Sequence, residues 1–402
     1  MERYSEYKDS GVKWLGEIPS HWEVMPLKSF IKFEKGKTPK EFSDENIGLP
    51  YLTMDYLRSR DNKIVKYPTS SIGLFEIEES EALVLWDGAN AGEFILSKKG
   101  YLGSTMAKIS GYREYFNNLY FYYFLKMLEP TSKDFANGTT IPHFDASILI
   151  NYHYPIPPID EQIVIGSYLD AATSKIDKAI AMQQKMIDLL NERKQIIIQN
   201  AVTKGLDENV EMKDSGVEWI GMIPKHWKII RIKHLAKLQS GSNLTSNEIS
   251  DTGSYPVYGG NGLRGFYGSY NCEGSHVLIG RQGALCGNIN YAEDKFWATE
   301  HAVVCYPKKK YNTLWFGEIL RLMNLGQYSL ASAQPGLAVE RIKGLYMPYP
   351  SIEEQNKIAL FLKQNIGKID LYARHCQRQI TLLQERKQII INEVVTGKVK
   401  VS

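Results

Sequence analysis

The sequence predicts an α+β protein in which two mixed α/β domains are separated by two long helices, with an internal pseudo-two-fold repeat. Three observations predict this fold class. Two stretches of sequence occur twice, and two segments of about 45 residues carry the period of a long amphipathic helix. The remaining segments are rich in glycine, tyrosine and proline and contain short apolar runs, a pattern typical of short strands joined by turns.

The internal repeat is the strongest of these observations. Residues 8–22 are KDSGVKWLGEIPSHW and residues 213–227 are KDSGVEWIGMIPKHW, so eleven of fifteen positions are identical at an offset of 205. Residues 189–198 are LLNERKQIII and residues 382–391 are LLQERKQIII, with nine of ten identical at an offset of 193. Each half is therefore a globular segment followed by a helical one, and the second half is 12 residues shorter between these markers.

The repeats divide the chain into four segments. Two globular domains alternate with two long helices, and the predicted bounds are 1–155, 156–204, 205–349 and 350–402 in that order. Within the globular domains, the apolar runs at 82–86 and 276–280 predict short strands. A helix is predicted near 118–128 in the first domain and near 313–325 in the second.

The helical segments carry a heptad seam, in which the inward positions alternate steps of four and three residues. The predicted seam residues are Ile165, Leu169, Ala172, Ile176, Ala179, Gln183, Met186, Leu190, Arg193 and Ile197, then Ile358, Leu362, Asn365, Ile369, Tyr372, Cys376, Gln379, Leu383, Arg386 and Ile390. Ser351 with Glu354 fits a capping box at the start of the second helix, and Gly205 and Gly397 fit helix stops.

We expect the two helices to pack together as an antiparallel coiled coil. Each helix is about 42 residues, or roughly 60 Å, long. About 14 residues join its end near Val202 to the second domain near Val217, and they span at most ~50 Å, so a parallel pair is disfavoured. The alternative is that each helix packs on its own domain. An antiparallel pair relates the two halves by an approximate two-fold axis, which suits a two-fold-related target such as duplex DNA.

Composition excludes several classes of protein. Of the 402 residues, 43% are hydrophobic and 23% charged, so a disordered or collagen-like chain is excluded. No apolar run reaches the ~18 residues of a membrane span, and the N-terminus lacks an apolar signal core. The four cysteines are widely spaced without a CxxC pair, which argues against a disulfide framework or zinc site and favours a cytoplasmic location.

The charge is distributed unevenly along the chain. The net charge is only +3, which does not by itself identify a nucleic-acid binder. Residues 213–350 carry 15 basic and 10 acidic side chains, whereas residues 1–155 carry 18 basic and 21 acidic ones. The charge therefore favours DNA binding by the second domain. The first domain would have to gather its basic residues on one face.

Several motifs are similar to those of the specificity subunits of type I restriction-modification systems. They are the KDSGVxWxGxIPxHW start, Gly36–Pro39, Leu49–Thr53, Tyr255–Gly259 and the proline-rich start of each long helix. The resemblance covers essentially the whole chain, and its set of motifs is specific.

The resemblance implies a function in the recognition of double-stranded DNA. The globular domains would be target recognition domains that each read half of a split sequence. The helices would form an antiparallel coiled coil that fixes the gap and docks two copies of the methyltransferase subunit. A restriction subunit, a motor and nuclease, would join the complex. This chain would bind no cofactor, and S-adenosylmethionine and ATP would be held by the partner subunits.

The competing hypothesis is an enzyme that acts on DNA by itself. No Asn/Asp-Pro-Pro-aromatic loop of an adenine methyltransferase is present. Residues 260–265 fit GxGxxG, but they follow a Tyr/Gly turn segment and open no predicted helix. No HExxH or Cys/His cluster has metal-ligand spacing. We therefore predict a non-catalytic DNA-binding protein without a metal site. The alternative is a coiled-coil adaptor that binds protein or carbohydrate.

The candidate DNA-binding residues lie in loops of the globular domains. In the first domain they are Lys35, Lys37, Thr38 and Lys40 beside a stiff turn, Trp86 and Asn90 around Asp87-Gly88-Ala89, and Thr139, Thr140 and His143. In the second domain they are Ser242 and Asn243, Asn261 and Arg264, Arg281 and Gln282, and Gln334. Lysine side chains commonly contact phosphates. Arginine can form two hydrogen bonds with the edge of guanine, and glutamine or asparagine can do so with adenine. Solvated turns and a structural arginine are the alternatives.

Two further groups of residues are assigned from the repeats. The repeated ERKQIII stretch has more apolar surface than the seam requires, so Glu192, Arg193, Ile196, Glu385, Arg386 and Ile389 are candidates for partner binding. Two related surfaces can bind two identical subunits. The paired tryptophans Trp14, Trp22, Trp219 and Trp227 are expected to anchor the core rather than to stack on bases.

Overall fold

The computed structural model describes residues 2–43, 45, 47–59, 65–111, 117–134, 142–283, 285–329 and 336–401. Contacts divide the chain into two compact units. The first comprises Met1–Gln184 with Arg378–Ser402, and the second comprises Lys185–Gln377. Each unit is a mixed α/β domain that includes part of both long helices. The four segments predicted from the sequence remain a prediction about recognition domains, since the compact units group the residues differently.

The first unit contains thirteen strands among the described residues. They are β1 (Tyr7–Asp9), β2 (Glu17–Pro19), β3 (Glu23–Pro26), β4 (Ile31–Lys35), β5 (Phe42–Ser43), β6 (Tyr51–Leu52), β7 (Tyr67–Pro68), β8 (Glu76–Ile77), β9 (Ala82–Leu85), β10 (Phe94–Leu96), β11 (Gly100–Leu102), β12 (Met106–Gly111) and β13 (His153–Ile156). Its main sheet has the antiparallel order β10-β9-β12-β4, and a smaller sheet has the order β6-β11-β8. The helices are α1 (Met54–Arg58), α2 (Asn118–Asp134), α3 (Ala146–Ile150) and the first part of α4 (Ile159–Lys204).

The second unit repeats the main sheet with different edges. Its strands are β14 (Met212–Asp214), β15 (Met222–Pro224), β16 (Lys228–Arg231), β17 (Ala236–Ser240), β18 (Tyr255–Gly259), β19 (Gly262–Tyr267), β20 (Cys272–Glu273), β21 (His276–Gly280), β22 (Ile289–Ala292), β23 (Lys295–Ala298), β24 (Ala302–Pro307) and β25 (Tyr346–Tyr349). The order β17-β24-β21-β22 matches β4-β12-β9-β10, and a second sheet has the order β19-β18-β23-β20. The helices are α5 (Ile232–Leu235), α6 (Thr313–Leu322), α7 (Val339–Lys343) and part of α8 (Ile352–Val395).

The central strand of each main sheet is buried on both faces, which explains its continuous apolar run. In β9, Ala82 and Val84 pack in the core that contains α2, while Leu83 and Leu85 pack in a second core with the small sheet. The same alternation occurs in β21 of the second unit. Successive side chains of a strand point to opposite faces, so a strand between two cores has no polar side. The predicted strands are confirmed.

Each KDSGVxWxGxIPxHW segment is anchored by its last tryptophan. Trp22 and Trp227 are fully buried, and their indole N–H groups donate to Glu161 (3.2 Å) and Glu354 (3.0 Å) in the first turn of α4 and α8. A buried indole needs such an acceptor, so the repeat motif fixes the start of each long helix. The core-anchor prediction is confirmed for these two residues.

The prediction is wrong for Trp14 and only partly right for Trp219. Trp14 is 39% exposed and packs edge-on against Tyr152. Trp219 is half-buried against the core of the second unit. The motif places both tryptophans eight positions before the anchoring one, in a turn that lies at the edge of the core. Identity between repeats therefore does not imply burial.

The ends of the long helices follow the predicted capping signals. The Ser351 hydroxyl accepts from the Glu354 N–H (3.2 Å), and the Ser351 N–H donates to the Glu354 carboxylate (3.2 Å), which is a capping box. Gly205 and Gly397 follow the last turns with φ of +80° and +73°, a conformation that favours glycine. In the described part of the chain, no helix is both long and apolar enough to cross a bilayer.

The first unit contains the start of one long helix and the end of the other. Ile165 and Leu169 of α4 and Val394 of α8 are fully buried in one core. Lys387 of α8 donates to the Asp177 carboxylate at 2.7 Å from both oxygens. This ion pair links the two helices beside the apolar core, one residue after the predicted seam positions Ile176 and Arg386.

The second unit has the reciprocal arrangement. Val202 near the end of α4 is buried in the same core as Ile358 and Leu362 near the start of α8. Lys194 donates to the Asp370 carboxylate at 2.8 Å. In this unit too, residues late in α4 pack with residues early in α8.

The inward face of the helices departs from the predicted seam at five positions. The exposed residues are Met186, Arg193, Tyr372, Gln379 and Arg386, and in each case the following residue is buried or half-buried instead. An α-helix has 3.6 residues per turn, so a strict heptad drifts by ~20° per repeat. After two or three heptads the first inward position of each heptad passes to the next residue, while the second, at Leu190, Ile197, Leu383 and Ile390, stays inward. The seam prediction is corrected accordingly.

The position of two neighbouring leucines in α8 gives a stability prediction. Leu362 is fully buried, whereas Leu360 is 58% exposed. We expect Leu362→Ala to lower the free energy of unfolding of the second unit by about 2–5 kcal/mol, because it leaves a cavity. Leu360→Ala should change it by less than about 0.5 kcal/mol. Denaturant titration followed by tryptophan fluorescence measures both, and equal losses would contradict this burial.

Candidate nucleic-acid interface

The candidate residues of the first unit gather where two strands of the main sheet end. Strand β12 pairs with β4 on one side and with β9 on the other. Ala107 lies opposite Lys35, and Met106 lies opposite Leu85. This register brings Lys35, the last residue of β4, beside the turn that follows β9. Pairing in the sheet thus joins loops that are about 50 residues apart in the sequence.

Asp87 is the centre of this cluster. Its two carboxylate oxygens contact Lys35 Nζ at 2.9 Å and His143 Nδ1 at 2.6 Å. Asp87 and His143 also form an isolated β-bridge, and Lys35 Nζ lies 5.6 Å from the centre of the Trp86 ring. Partial burial by itself raises the pKa of the Asp87 carboxyl. Hydrogen bonds and charge from Lys35 and His143 outweigh that effect and hold the pKa below its usual range.

Two of the predicted residues, Lys35 and His143, therefore converge on Asp87, which the sequence analysis placed in the loop with Trp86 and Asn90. Trp86 packs against Phe33 and Phe144, so its ring supports the cluster from the core side. Asn90 is exposed in the turn after Gly88. Thr139 and Thr140 lie outside the described residues.

The lysine loop after β4 is held closely against the sheet. A Cβ at Gly36 would lie 2.3 Å from the Gly103 carbonyl oxygen, so only glycine permits this approach. The Thr38 hydroxyl lies 2.8 Å from the Ser104 hydroxyl, to which it donates. Lys37 and Lys40 extend into solvent. The loop thus has a fixed backbone and free ammonium groups, as phosphate contacts require.

The second unit places Arg281 and Gln282 at the corresponding strand end. Gly280 lies opposite Ala302, as Leu85 lies opposite Met106 in the first unit. Gln282 forms an isolated bridge with Gly336, which corresponds to the bridge between Asp87 and His143. The Arg281 guanidinium donates to the Ser240 hydroxyl at 3.3 Å. Gln334 lies outside the described residues.

Asn261 and Arg264 lie on the β18–β19 hairpin beside Gln282. An open cleft of about 520 Å³ is lined by these three side chains and by His301, Leu263, Gly260, Gly262 and Gly283. Asn261 accepts from Asn288 (3.0 Å), and Arg264 donates to Ser246 (3.4 Å). The GxGxxG pattern is thus a hairpin between two strands and opens no helix. Two predicted groups of residues share one cleft.

Arg264 is the arginine that lines this cleft, and Arg281 lies on the adjoining loop. Both donate to serine hydroxyls, which do not neutralise their charge. His301 lies 3.0 Å from Glu300, and its backbone carbonyl accepts from Arg281. No sequence motif selected His301, because strand pairing rather than sequence spacing brings it to the loop that holds Arg281. Ser242 and Asn243 are exposed but do not line the cleft.

The candidate partner-binding residues are exposed on the long helices of both units. In the second unit Glu192, Arg193 and Ile196 are exposed, with Ile196 at 50%. In the first unit the corresponding residues Glu385, Arg386 and Ile389 are exposed, with Ile389 at 54%. Both copies of the motif are thus accessible on the helix surface, and their role in partner binding stays a prediction.

Among the described residues, no group of three His, Cys, Asp or Glu side chains is arranged to hold a metal ion. Cys272 and Cys305 are buried thiols, and Cys286 and Cys376 are half-buried thiols. Burial raises the pKa of the Cys272 thiol. Cys272 and Cys305 therefore contribute to the packing of the second unit.

Comparison with known proteins gives consistent matches over most of the chain. The family model described as the type I restriction modification DNA specificity domain matches residues 19–186 and again residues 224–382. The chain is 36% identical over 252 residues to the type I restriction enzyme MjaVIII specificity subunit of Methanocaldococcus jannaschii, an alignment that covers 61% of this chain. The chain spans only 57% of that relative's length.

Two other matches cover nearly the full length. The type I restriction enzyme EcoprrI specificity subunit of Escherichia coli is 25% identical over 397 residues, which are 90% of this chain and 94% of that protein. A solved chain from a study of complex assembly and conformational transition of the type I R-M system has a TM-score of 0.68 at 13% identity. That match covers 95% of this chain and 99% of the other, and it shows a shared fold.

Proposed function

Because the chain belongs to the family of type I restriction modification DNA specificity domains, we propose that it is the sequence-specific DNA-binding subunit of a type I restriction-modification complex, without catalysis of its own. One observation carries the proposal. The family domain occurs twice, and the same strand ends in each unit carry different side chains: Lys35, Asp87 and His143 in the first, Ser240, Gln282 and Gly336 in the second. A shared frame with unlike loops suits an asymmetric, bipartite DNA target.

Contacts with DNA divide into two kinds in this proposal. The exposed ammonium groups of Lys37 and Lys40 contact phosphates and set affinity, while Arg281 and Gln282 contact base edges and set specificity. Thr38, Asn90, Ser242, Asn243, Asn261 and Arg264 are further candidate DNA contacts, as are Thr139, Thr140 and Gln334 outside the described residues. The open cleft that Arg264 and Gln282 share in the second unit supports this assignment.

We further propose that α4 and α8 pair as an antiparallel coiled coil that fixes the gap between the two half-sites. The ion pairs support this register. From Asp177 to Lys194 the first helix advances by 17 residues, and from Lys387 to Asp370 their partners go back by 17. Opposite directions with equal steps are the signature of an antiparallel pair.

The partners are proposed from family membership and from the repeated helical surfaces. Two copies of a methyltransferase subunit would bind, one at Glu192, Arg193 and Ile196 and the other at the matching residues of α8. A restriction subunit, a motor and nuclease, would complete the complex. In this proposal, S-adenosylmethionine and ATP are bound by the partners, and the complex acts in the cytoplasm.

The first test of the proposed function is a map of methylated sequences. With the methyltransferase subunit present, Arg281→Ala and Gln282→Ala should alter one and the same half-site. Each should lower base discrimination by about 1–3 kcal/mol, since one base-edge contact is lost. Methylome sequencing measures the motif, and Arg341→Ala, an exposed arginine of α7 outside the cleft, is the matched control. A change in both half-sites, or in neither, would refute the assignment.

The second test concerns the length of the helices. Seven residues inserted after Gln184 and after Gln377 should lengthen the gap by up to about three base pairs. Seven helical residues add ~10 Å, and base pairs are ~3.4 Å apart. Seven residues inserted after Asn209, in the exposed loop that follows α4, are the control and should leave the gap unchanged. An unchanged gap with both helices lengthened would exclude the spacer role.

The third test counts the methyltransferase subunits bound. Native mass measurement of the purified complex should give two copies per chain. Ile196→Asp and Ile389→Asp should each reduce the number to one, because a charge disrupts an apolar contact, and the double variant should bind none. Leu360→Asp places the same charge at an exposed leucine outside the repeated stretch and should keep both copies. A wild-type complex of one to one would contradict two equivalent surfaces.

A further inference from the structure

Asp87 occupies the place in the first unit that Gln282 occupies in the second. Each residue lies two positions after the buried central strand of its main sheet. The preceding residues, Trp86 and Arg281, donate their N–H groups at 2.8 Å to the carbonyls of Thr105 and His301. Their carbonyls accept at 2.8 Å from Phe144 and Leu337, which follow the two bridge partners. The two positions are therefore equivalent in backbone hydrogen bonding, not only in sequence order.

The chemistry at the two equivalent positions is different. Gln282 offers an amide, which can donate and accept at once and so matches the N6 and N7 edge of adenine. Asp87 offers an ionised carboxylate, which only accepts. Each oxygen uses one contact, to Lys35 or to His143, and retains further lone-pair capacity. The side chain is 24% exposed, so its edge is accessible.

A carboxylate on a DNA-facing surface needs an explanation, because phosphates repel it. The Lys35 ammonium offsets the negative charge of Asp87, and the contacts to Lys35 and His143 hold both oxygens in place. The Asp87 carboxylate therefore keeps its capacity to accept a hydrogen bond, while the neighbouring positive charge reduces its repulsion from the DNA phosphates. Among base edges in the major groove, the exocyclic amino group of cytosine is the donor that a carboxylate matches best.

We propose that Asp87 is a specificity-determining residue of the first domain and accepts a hydrogen bond from the N4 amino group of a cytosine in its half-site. Lys35 and His143 act through Asp87 as positioning residues. This inference rests on the proposed function and deepens it. It makes the two half-sites differ at equivalent positions, with cytosine contacted by Asp87 and adenine by Gln282.

The competing role for Asp87 is to orient Lys35 toward a phosphate. The two roles have different consequences. Loss of a base contact relaxes specificity at one position, whereas loss of a phosphate contact weakens binding about equally at all sequences and lowers the salt dependence by about one ion. The methylated motif therefore distinguishes them where total activity does not.

The experiment compares complexes assembled with the methyltransferase subunit, by methylome sequencing and by DNA binding at several salt concentrations. Asp87→Asn should relax one position that holds cytosine in wild type, with a roughly five- to hundred-fold loss of discrimination. The half-site affected should be the one that Gln282→Ala leaves unchanged. Glu78→Gln is the matched control, because Glu78 also pairs with a lysine, Lys99 at 3.0 Å, and lies outside the cluster. It should retain the motif.

A second variant covers the case in which Asp87→Asn does not fold. Asp87→Gln installs the side chain of the equivalent position and should shift the preference at that position from cytosine toward adenine. Folding is checked by the melting temperature. The proposal is overturned if a folded variant keeps cytosine, if all sequences weaken equally, or if no cytosine occupies the affected position. A wild-type complex that methylates no defined split sequence would instead reject the proposed function.

Discussion

Each compact unit depends on one constraint: its core is closed by the start of one long helix and the end of the other. In the first unit Ile165 and Val394 are both fully buried, although they are more than 200 residues apart in the chain. In the second unit Val202 and Ile358 are likewise buried in one core, although they are 156 residues apart in the chain. Removal of either helix would leave both cores with apolar surface in contact with water, so the helices are structural parts of the domains.

A buried glutamine near the start of each long helix transmits this constraint to the rest of its unit. The Gln162 carbonyl accepts from the Asn117 N–H (2.7 Å) just before α2, and its amide donates to Pro157. Gln355 makes the same contacts with Asn312 (3.0 Å) and Pro350. Each glutamine joins the start of the long helix to the start of the domain helix. The repeated proline-rich motif with its glutamine therefore has a physical role in orientation.

A rigid frame of this kind allows the loops at the strand ends to diverge. The sheets β10-β9-β12-β4 and β22-β21-β24-β17 have the same order and equivalent registers. On that frame, one unit carries a charge-compensated cluster around Asp87 and the other carries an open cleft lined by Gln282 and Arg264. Stability thus resides in the repeated parts, and the proposed DNA specificity resides in the parts that differ.

The sequence by itself determined the features that depend on local physics. The repeats, the two long helices, the capping box at Ser351 and the helix stop at Gly397 follow from periods and caps within a few residues. It also selected Lys35, Trp86 and His143 as loop candidates. Only the tertiary structure decided that these three meet at Asp87, that Arg264 and Gln282 share a cleft, that Trp14 is exposed, and that the seam shifts after two or three heptads. Strand pairing joins residues that are far apart in the sequence, and helix drift accumulates over many turns. Neither effect is visible in a sequence pattern of a few residues.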